Sequence, residues 1–471
     1  MLGHKLRRLR SDRGLTQAAL AERLAISASY LNLIERNQRP VTVDLLLKLG
    51  RLFDIDIQDF AEDDAARLSA ELGEVFGDRL FEGGDIRRQD LIDFAEASPA
   101  AAEAVVRLYR AYREAREARS VAPAADAAEA GGAAAALDAV RDLLQASGNH
   151  VPALETAAEA LAADAGFAGR ASLPVLAAHL EQSYGTRLRL LPAEVMGVIL
   201  RRYDPHGRRI LLSEMLPAPS RLFQALVQVA LIHQRGLIDR LVAEAKLAGE
   251  AADAARLALA HYFAGAVMMP YDGFHRAAIA TRHDLEVLAH RFDASFEQVC
   301  HRLTTLGRHG ARGVPFFLLK VDAAGNVRKQ LSAGALQLAR FGGACPRWVV
   351  HDAFRTPGEL RVQVAETPDG ARFVAVARTV TRSGLGPEPG LGQAAPARAF
   401  ALMIGCDAAH AAQLAWADGL APTADDAATP IGLHCRVCER LDCADRAHPP
   451  AKHRLVADPN QRGASAVEYA G

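Results

Sequence analysis

The sequence predicts a multidomain chain: an all-α N-terminal domain, a mainly α middle domain with α+β character, and an α+β C-terminal domain carrying a cysteine cluster. Three observations carry that expectation. The chain runs to 471 residues, half of them apolar, which is enough for several cores rather than one. Apolar residues recur at helical spacing through most of residues 1–310 and then give way to short alternating runs between glycine-bearing turns. Lastly, three of the six cysteines crowd into one decapeptide, HCRVCERLDC, at residues 434–443.

Charge and hydropathy narrow the classes. The net charge is −1, so any attraction for a polyanion must be local. No window approaches the roughly eighteen uninterrupted apolar residues of a membrane span. The opening MLGHKLRRLRSDRG lacks the apolar stretch and cleavage site of a secretory signal. A cytoplasmic chain without a membrane partner is expected, and there reducing conditions favour metal ligands or redox thiols over disulfides.

Residues 1–62 include KLRRLRSDRGLTQAALAERLAISASYLNLIERNQRP. Leu6 and Leu9 mark a first helix that Gly14 ends; Thr16 caps a second with inner face Leu20, Ala21 and Leu24; Ser27 starts a third. Small Ala21 at the crossing, with Ile26, Leu31 and Ile34, completes a helix-turn-helix pattern that resembles Cro-type repressor domains. That resemblance implies a third helix in the major groove of double-stranded DNA. Ser27 would stand at its start, Ala28, Ser29, Tyr30 and Asn32 at base edges, and Gln17 and Arg36 on phosphates. Glu35 beside DNA would be repelled unless paired, and Arg10 is the expected partner. Arg7, Arg8, Arg13 and Arg39 add positive field, which weighs against a protein-binding helical module. So small a footprint calls for a homodimer or larger assembly on a repeated site.

Residues 63–118 read as a helical spacer or dimerisation segment, with Ser98-Pro99 as a cap and first turn. Residues 119–144, rich in alanine and poor in large apolar side chains, read as a flexible linker. In residues 145–310, strands are expected around the turn Asp204-Pro205-His206-Gly207, followed by the helices SRLFQALVQVALIHQ and ARLALAHYFAGAVMMPYDGF. These two resemble the paired helices of a zinc-dependent peptidase domain, with Phe223, Phe263-Ala264 and Met269-Pro270 fitting its frame. A working peptidase of that kind needs His-Glu-x-x-His and a further carboxylate. Here those positions are Val227, Gln228, Leu231 and Leu259, so the domain is a degenerate, zincin-like scaffold with no catalytic residue. His233 and His261 read as surface or core histidines.

Residues 311–471 form the last domain. VPFFLLKVD and ELRVQVAE alternate around the turns Ala324-Gly325-Asn326 and Pro368-Asp369-Gly370, which predicts a small mixed sheet. Together with SFEQVCHRLTTL, GGACPRW and CRVCERLDCADRAHPP, and with the degenerate domain before them, these phrases make the chain similar to the short-chain fatty acyl-CoA regulators. The resemblance implies a transcription regulator that senses a short-chain acyl-CoA and controls propionate or acetate assimilation. Such a ligand needs cations for its phosphates and a tight apolar pocket for its acyl tip. Arg328, Lys329, Arg347 and Arg378 are the candidates, each equally readable as solvated surface.

The spacing Cys435-x2-Cys438-x4-Cys443 brings three thiolates around one metal. Cys406 is the expected fourth ligand, with His434, His448 and Cys345 as competitors; Cys300 reads as an ordinary buried thiol. Related regulators are associated with an iron–sulfur cluster, and four thiolates also suit structural zinc. Two other functions stay in view, an iron–sulfur redox-sensing regulator and, against the missing ligands, a metallopeptidase.

Overall fold

The structure, a computed structural model, describes residues 15–35 with scattered positions between 6 and 52 around them, then 64–81, 86–121, 124–334 apart from 168, 336, 344–381, 399–424, 428–448 apart from 434 and 437, 455–456 and 468–469. It divides into two compact units, Met1–Arg113 and Glu114–Gly471. Among the described residues no helix is long and apolar enough to cross a membrane.

The first unit contains the helix pair α1 (Gln17–Leu24) and α2 (Ala28–Glu35). Thr16 and Ser27 cap them as expected, their hydroxyls accepting the N–H groups of Ala19 at 3.2 Å and Tyr30 at 3.1 Å. Ala25 turns the chain between them in the left-handed region at φ 56°. Leu6, Leu20, Ala21, Leu24, Leu31 and Ile34 bury the shared face. Buried Glu35 accepts both arms of the Arg10 guanidinium, at 2.6 and 3.1 Å, which is the pairing the sequence called for. Three further helices, α3 (Asp64–Phe76), α4 (Arg88–Ala97) and the beginning of α5 (Pro99–Val121), belong to the same unit. Tyr109 donates to Asp78 at 2.7 Å there.

The expected linker is a correction. Ala124–Ala146 forms one helix, α6. Alanine has the best intrinsic helix propensity, and it outweighs the roughly 1 kcal/mol that each of Gly131 and Gly132 costs. The last turns of α6 carry Leu144 into the core, with Val140 and Leu143 packed against it.

Beyond it come α7 (Pro152–Asp164), α8 (Leu173–Tyr184) and a small sheet of β1 (Arg187–Leu191), β2 (Arg201–Asp204) and β3 (Arg209–Ser213), with α9 (Ala193–Met196) between its first two strands. The sheet runs in the order β1-β3-β2. The Asp204 carboxylate ties the β2–β3 turn by accepting the N–H of Gly207 at 3.0 Å. Six helices follow: α10 (Ala218–His233), α11 (Arg235–Glu244), α12 (Gly249–Met268), α13 (Tyr271–Ala280), α14 (Leu285–Phe292) and α15 (Phe296–Leu303). Val227 and Leu259, at positions where a zincin holds metal, are buried on α10 and α12.

The C-terminal sheet has six strands in the order β5-β4-β8-β7-β6-β9: β4 (Phe317–Asp322), β5 (Val327–Ser332), β6 (Arg361–Glu366), β7 (Arg372–Thr381), β8 (Ala399–Asp407) and β9 (Thr429–Pro430). Side chains alternate between its faces. Leu318, Val374, Val376, Leu402 and Ile404 join the helical core. Phe317, Leu319, Phe373, Ala375 and Met403 join a second core with Trp348, Ile431 and a short helix, α16 (Val349–Asp352).

One ion pair locks the helical core. Arg302 on α15 grips Glu155 on α7 at 2.6 and 2.9 Å, Tyr262 on α12 donates to the same carboxylate at 2.5 Å, and Arg302 Nε donates to the carbonyl of Met269 at 2.9 Å. Burial works against the charge on Glu155, but Arg302 and Tyr262 outweigh it and hold its pKa below the ordinary 4.5. Arg302→Met would strand that carboxylate, and urea denaturation should read a loss of about 3–5 kcal/mol. Because the folded pKa is depressed, the pair's contribution is complete above the ordinary value and disappears as pH falls through the folded one. In the variant burial would instead raise the Glu155 pKa, so this dependence should reverse, the loss being greatest at neutral pH and shrinking as pH falls.

Candidate functional site

Between α10, α12 and α15 on one side and the helix-facing side of the large sheet on the other lies a cavity of about 720 Å³. A capping box fixes α15 at its edge: Ser295 accepts from Gln298 N–H at 3.2 Å, and the Gln298 side chain accepts from Ser295 N–H at 2.7 Å. That helix presents Phe296, Glu297, His301 and Arg302 to the cavity. Phe223 of α10 and His261 of α12 stack with ring centroids 5.6 Å apart on another wall.

The sheet supplies the cations. On β4 Lys320 faces Lys329, whereas Val321 faces Val327, so Arg328 is an extra residue in β5. This bulge sends Val327 to the second core and puts Lys329 on the cavity side. Lys320 grips both oxygens of Glu297 at 2.7 and 2.8 Å and lies 4.7 Å from the centroid of Phe400. Arg378 on β7 pairs with Glu286 at 3.0 Å. Burial pushes Lys329 down from 10.5 to about 8, with Glu297 opposing and Lys320 assisting. Burial, Lys329 and Arg201 together push His261 down to about 4. His301 is lowered by burial and by Lys329 in the same direction.

Of the cations singled out in the sequence, Lys329 and Arg378 line this cavity and the other two do not. Arg328 is held at its turn by Asp322 at 2.7 Å, and Arg347 reaches Asp445 at 3.4 Å on the far side of the sheet. Sequence reasoning missed Lys320 and His301, and read His261, which lines the cavity, as a surface or core histidine. The amphipathic phrase SFEQVCHRLTTL held the signal for His301, since residues 297, 298 and 301 share one helical face.

The cysteines separate by face. Cys406 follows Leu402 and Ile404 at even spacing on β8, so its side chain is buried in the helical core, where burial raises its thiol pKa. The segment with Cys435, Cys438 and Cys443 lies instead against the opposite face, in a cleft also lined by Cys345. The sheet therefore separates Cys406 from the other three, and Cys345 is the cysteine that shares their cleft. Cys345 feels Cys435 and Cys438 electrostatically and accepts the N–H of Gly432 at 3.5 Å. Arg446 donates to the carbonyls of Cys438 at 3.0 Å and Arg440 at 2.6 Å. Gly432 has to be glycine, because a Cβ there would stand 2.7 Å from Cys438 Sγ. Among the described residues no three His, Cys, Asp or Glu side chains are gathered closely enough to hold a metal ion as they stand. His434 lies outside the described residues; Cys300 is fully buried, as expected.

On the helix pair, Ser27, Ala28 and Ser29 are exposed, while Tyr30 and Asn32 are half-buried. The Gln17 amide donates to Glu35 at 2.7 Å and to Asn32 at 3.5 Å, which ties it to the third helix of the motif. Arg36, like Arg7, Arg8 and Arg13, lies outside the described residues.

A helix-turn-helix domain followed by a peptidase-derived helical body and a ligand-sized cavity defines a DNA-binding transcriptional regulator. Residues 1–62 match the helix-turn-helix domain family, 181–304 the IrrE N-terminal-like domain, and 305–467 the short-chain fatty acyl coenzyme A regulator C-terminal domain. The chain is 41% identical over 98% of its length to the propionyl-CoA carboxylase regulator of Cereibacter sphaeroides, of which 97% is covered. It is 38% identical over 97% to the HTH-type transcriptional regulator PrpR of Mycobacterium tuberculosis, covering 93% of it. To RamB of the same species it is 37% identical over 97%, covering 96%. A solved structure of a Mycobacterium tuberculosis transcriptional regulator aligns with a TM-score of 0.64 at 37% identity, over 70% of this chain and 98% of that one. The chain belongs to the short-chain fatty acyl-CoA regulator family, whose named members are regulators of transcription rather than enzymes.

With Val227, Gln228, Leu231 and Leu259 at the ligand positions, the purified protein should cleave neither itself nor a casein substrate, with or without added zinc. Chelator-sensitive cleavage on a gel would contradict this.

Proposed function

We propose that the chain is an acyl-CoA-responsive regulator: the cavity between α10, α12, α15 and the large sheet binds a short-chain acyl-CoA, and occupancy changes the expression of genes for propionate or acetate assimilation. The observation that carries this reading is the cavity's chemistry. Its volume of about 720 Å³ falls within the range of small-molecule sites, and it sets Lys320, Lys329 and Arg378 opposite an apolar wall of Phe223, Met269 and Phe296. Cations suit phosphates, and the apolar wall suits a short acyl tip. The printed functions of the relatives, a propionyl-CoA carboxylase regulator among them, support the same reading.

On DNA, Ala28, Ser29, Tyr30 and Asn32 are assigned to base edges in the major groove, with Arg36 on phosphate. Gln17 is assigned instead to holding Asn32 and Glu35 in place. A homodimer or larger assembly in the cytoplasm, bound to a repeated site, follows from the small footprint of one motif.

For the thiol cleft, Cys345, Cys435, Cys438 and Cys443 are proposed to hold an iron–sulfur cluster, with structural zinc as the alternative. The donor set supports it: four thiols from two separated segments, beside Arg347, Arg440 and Arg446. When bound, either group would cross-link the C-terminal segment to the sheet, and a cluster would add redox sensitivity.

Calorimetry with propionyl-CoA and acetyl-CoA, and retention of genomic DNA fragments with and without them, test the effector reading. Phe223→Trp, which fills the cavity, should weaken acyl-CoA binding on the order of tenfold or more while DNA fragments are still retained. Retention of DNA with no acyl-CoA binding would remove the effector. Asn32→Ala should relax base preference at one position, by about 1–3 kcal/mol of discrimination. On anaerobically purified protein, Cys345→Ser should lose bound iron or zinc and Cys406→Ser should keep it; the reverse pattern would restore Cys406 as the fourth ligand.

A further inference from the structure

The cavity's charges do not balance. Arg302 is neutralised by Glu155 at 2.6 Å, Lys320 by Glu297 at 2.7 Å, and Arg378 by Glu286 at 3.0 Å. Lys329, on the same wall, has no carboxylate or hydrogen-bond acceptor within bonding distance of its Nζ among the described residues. Its nearest opposite charge, Glu297, already gives both oxygens to Lys320. Arg201 of β2, buried behind the cavity residue Gln224 and donating to its Oε1 at 3.0 Å, also lacks a carboxylate among the described residues. The groups facing Lys329 from the packed elements are Glu297 and His301 of α15, His261 of α12 and Lys320 of β4. Only Glu297 is negative. An unpaired ammonium in a low-dielectric site is costly, and it either gives up its proton or gains an anion.

We propose that Lys329 draws an oxyanion of the bound acyl-CoA into the cavity and takes up a proton from solvent as it does so, coupling effector affinity to pH. This rests on the reading that the cavity is the effector site. The oxyanion is a phosphate of the coenzyme or a carboxylate on the acyl group; the chemistry is the same.

The sign follows from the depressed amine. Free protein holds Lys329 half-protonated near pH 8, and the ligand's negative charge raises that pKa toward or beyond the ordinary 10.5. Affinity is therefore level below about 8 and falls as pH rises above it, by at most about tenfold per pH unit. His261 does not titrate in this window, since it stays neutral down to about 4. His301 is shifted in the same direction and also stays neutral.

The test is calorimetry of propionyl-CoA, succinyl-CoA and propionyl-pantetheine, at several pH values and in two buffers of different ionisation enthalpy. With the unaltered chain, a charged thioester should bind with proton uptake near pH 8. Lys329→Met should abolish the uptake and weaken that ligand on the order of tenfold to a hundredfold, while uncharged propionyl-pantetheine binds both chains alike. Lys329→Arg, which keeps a permanent charge, should retain affinity and lose the pH dependence. An effect on both coenzyme thioesters assigns the anion to a phosphate; an effect on succinyl-CoA alone assigns it to the acyl carboxylate. Charged thioesters that bind without proton uptake and equally well to Lys329→Met would overturn the proposal. If none of the three binds, the reading of the cavity falls instead, and the proposal with it.

Discussion

The two-residue repeat of the six-stranded sheet is the constraint on which both the cavity and the thiol cleft depend. Every strand sends alternate side chains to opposite faces, and each face has its own core. Residue parity on β8 decides that Cys406 goes with Leu402 and Ile404 into the helical core, away from the other cysteines. The parity of β5 would put Val327 and Lys329 on one face. The bulge at Arg328 breaks it, so Val327 packs against the second core and Lys329 faces the cavity. A single extra residue thus makes the difference between an amine buried in an apolar core, where it would be intolerable, and one that lines the cavity.

The opposite wall is held by Arg302 and Glu155. A buried ion pair is a poor source of net stability, because desolvation of both partners offsets most of the attraction. What it supplies is position. Arg302 ties α15 to α7 through Glu155 and to the end of α12 through the Met269 carbonyl, and Tyr262 of α12 donates to the same carboxylate. The three helices carrying His261, His301, Glu297 and this network are thereby fixed relative to one another. In the scaffold from which this domain resembles a derivative, α10 and α12 would be organised around a metal. Val227 and Leu259 now fill that place with apolar side chains, so packing and the Arg302–Glu155 pair do the organising.

Local features were legible in the sequence, and long-range ones were not. The caps Thr16 and Ser27, the turns at residues 204–207, 324–326 and 368–370, and the Arg10–Glu35 pair follow from residues close in sequence or on facing helical surfaces, where spacing is informative. The stretch 119–144 misled because alanine-rich composition is read as low complexity, though alanine is also the strongest helix former. The cavity was half visible. Lys329 and Arg378 could be picked out as cations on strands, but nothing local distinguished them from Arg328 and Arg347. Which cations meet the cavity depends on a bulge and on pairings with Asp322 and Asp445 that lie elsewhere in the fold. Cys406 attracted attention by closing an apolar run, whereas strand parity, visible only once the sheet is assembled, turns it away from the other cysteines.

The cavity and the thiol cleft lie on opposite faces of one sheet and share its strands. Lys320 and Arg378 stand on β4 and β7 facing the cavity, and Phe317 and Phe373 of the same strands pack behind them at 6.1 Å between ring centroids. Gly405 of β8 leaves no slack between these layers, since a Cβ there would meet Phe317 at 2.5 Å and the Val374 carbonyl at 2.7 Å. Close-packed layers transmit small displacements rather than absorb them. A displacement of these strands on the cavity side would therefore be felt on the side of the thiol cleft, because β4, β7 and β8 are common to both.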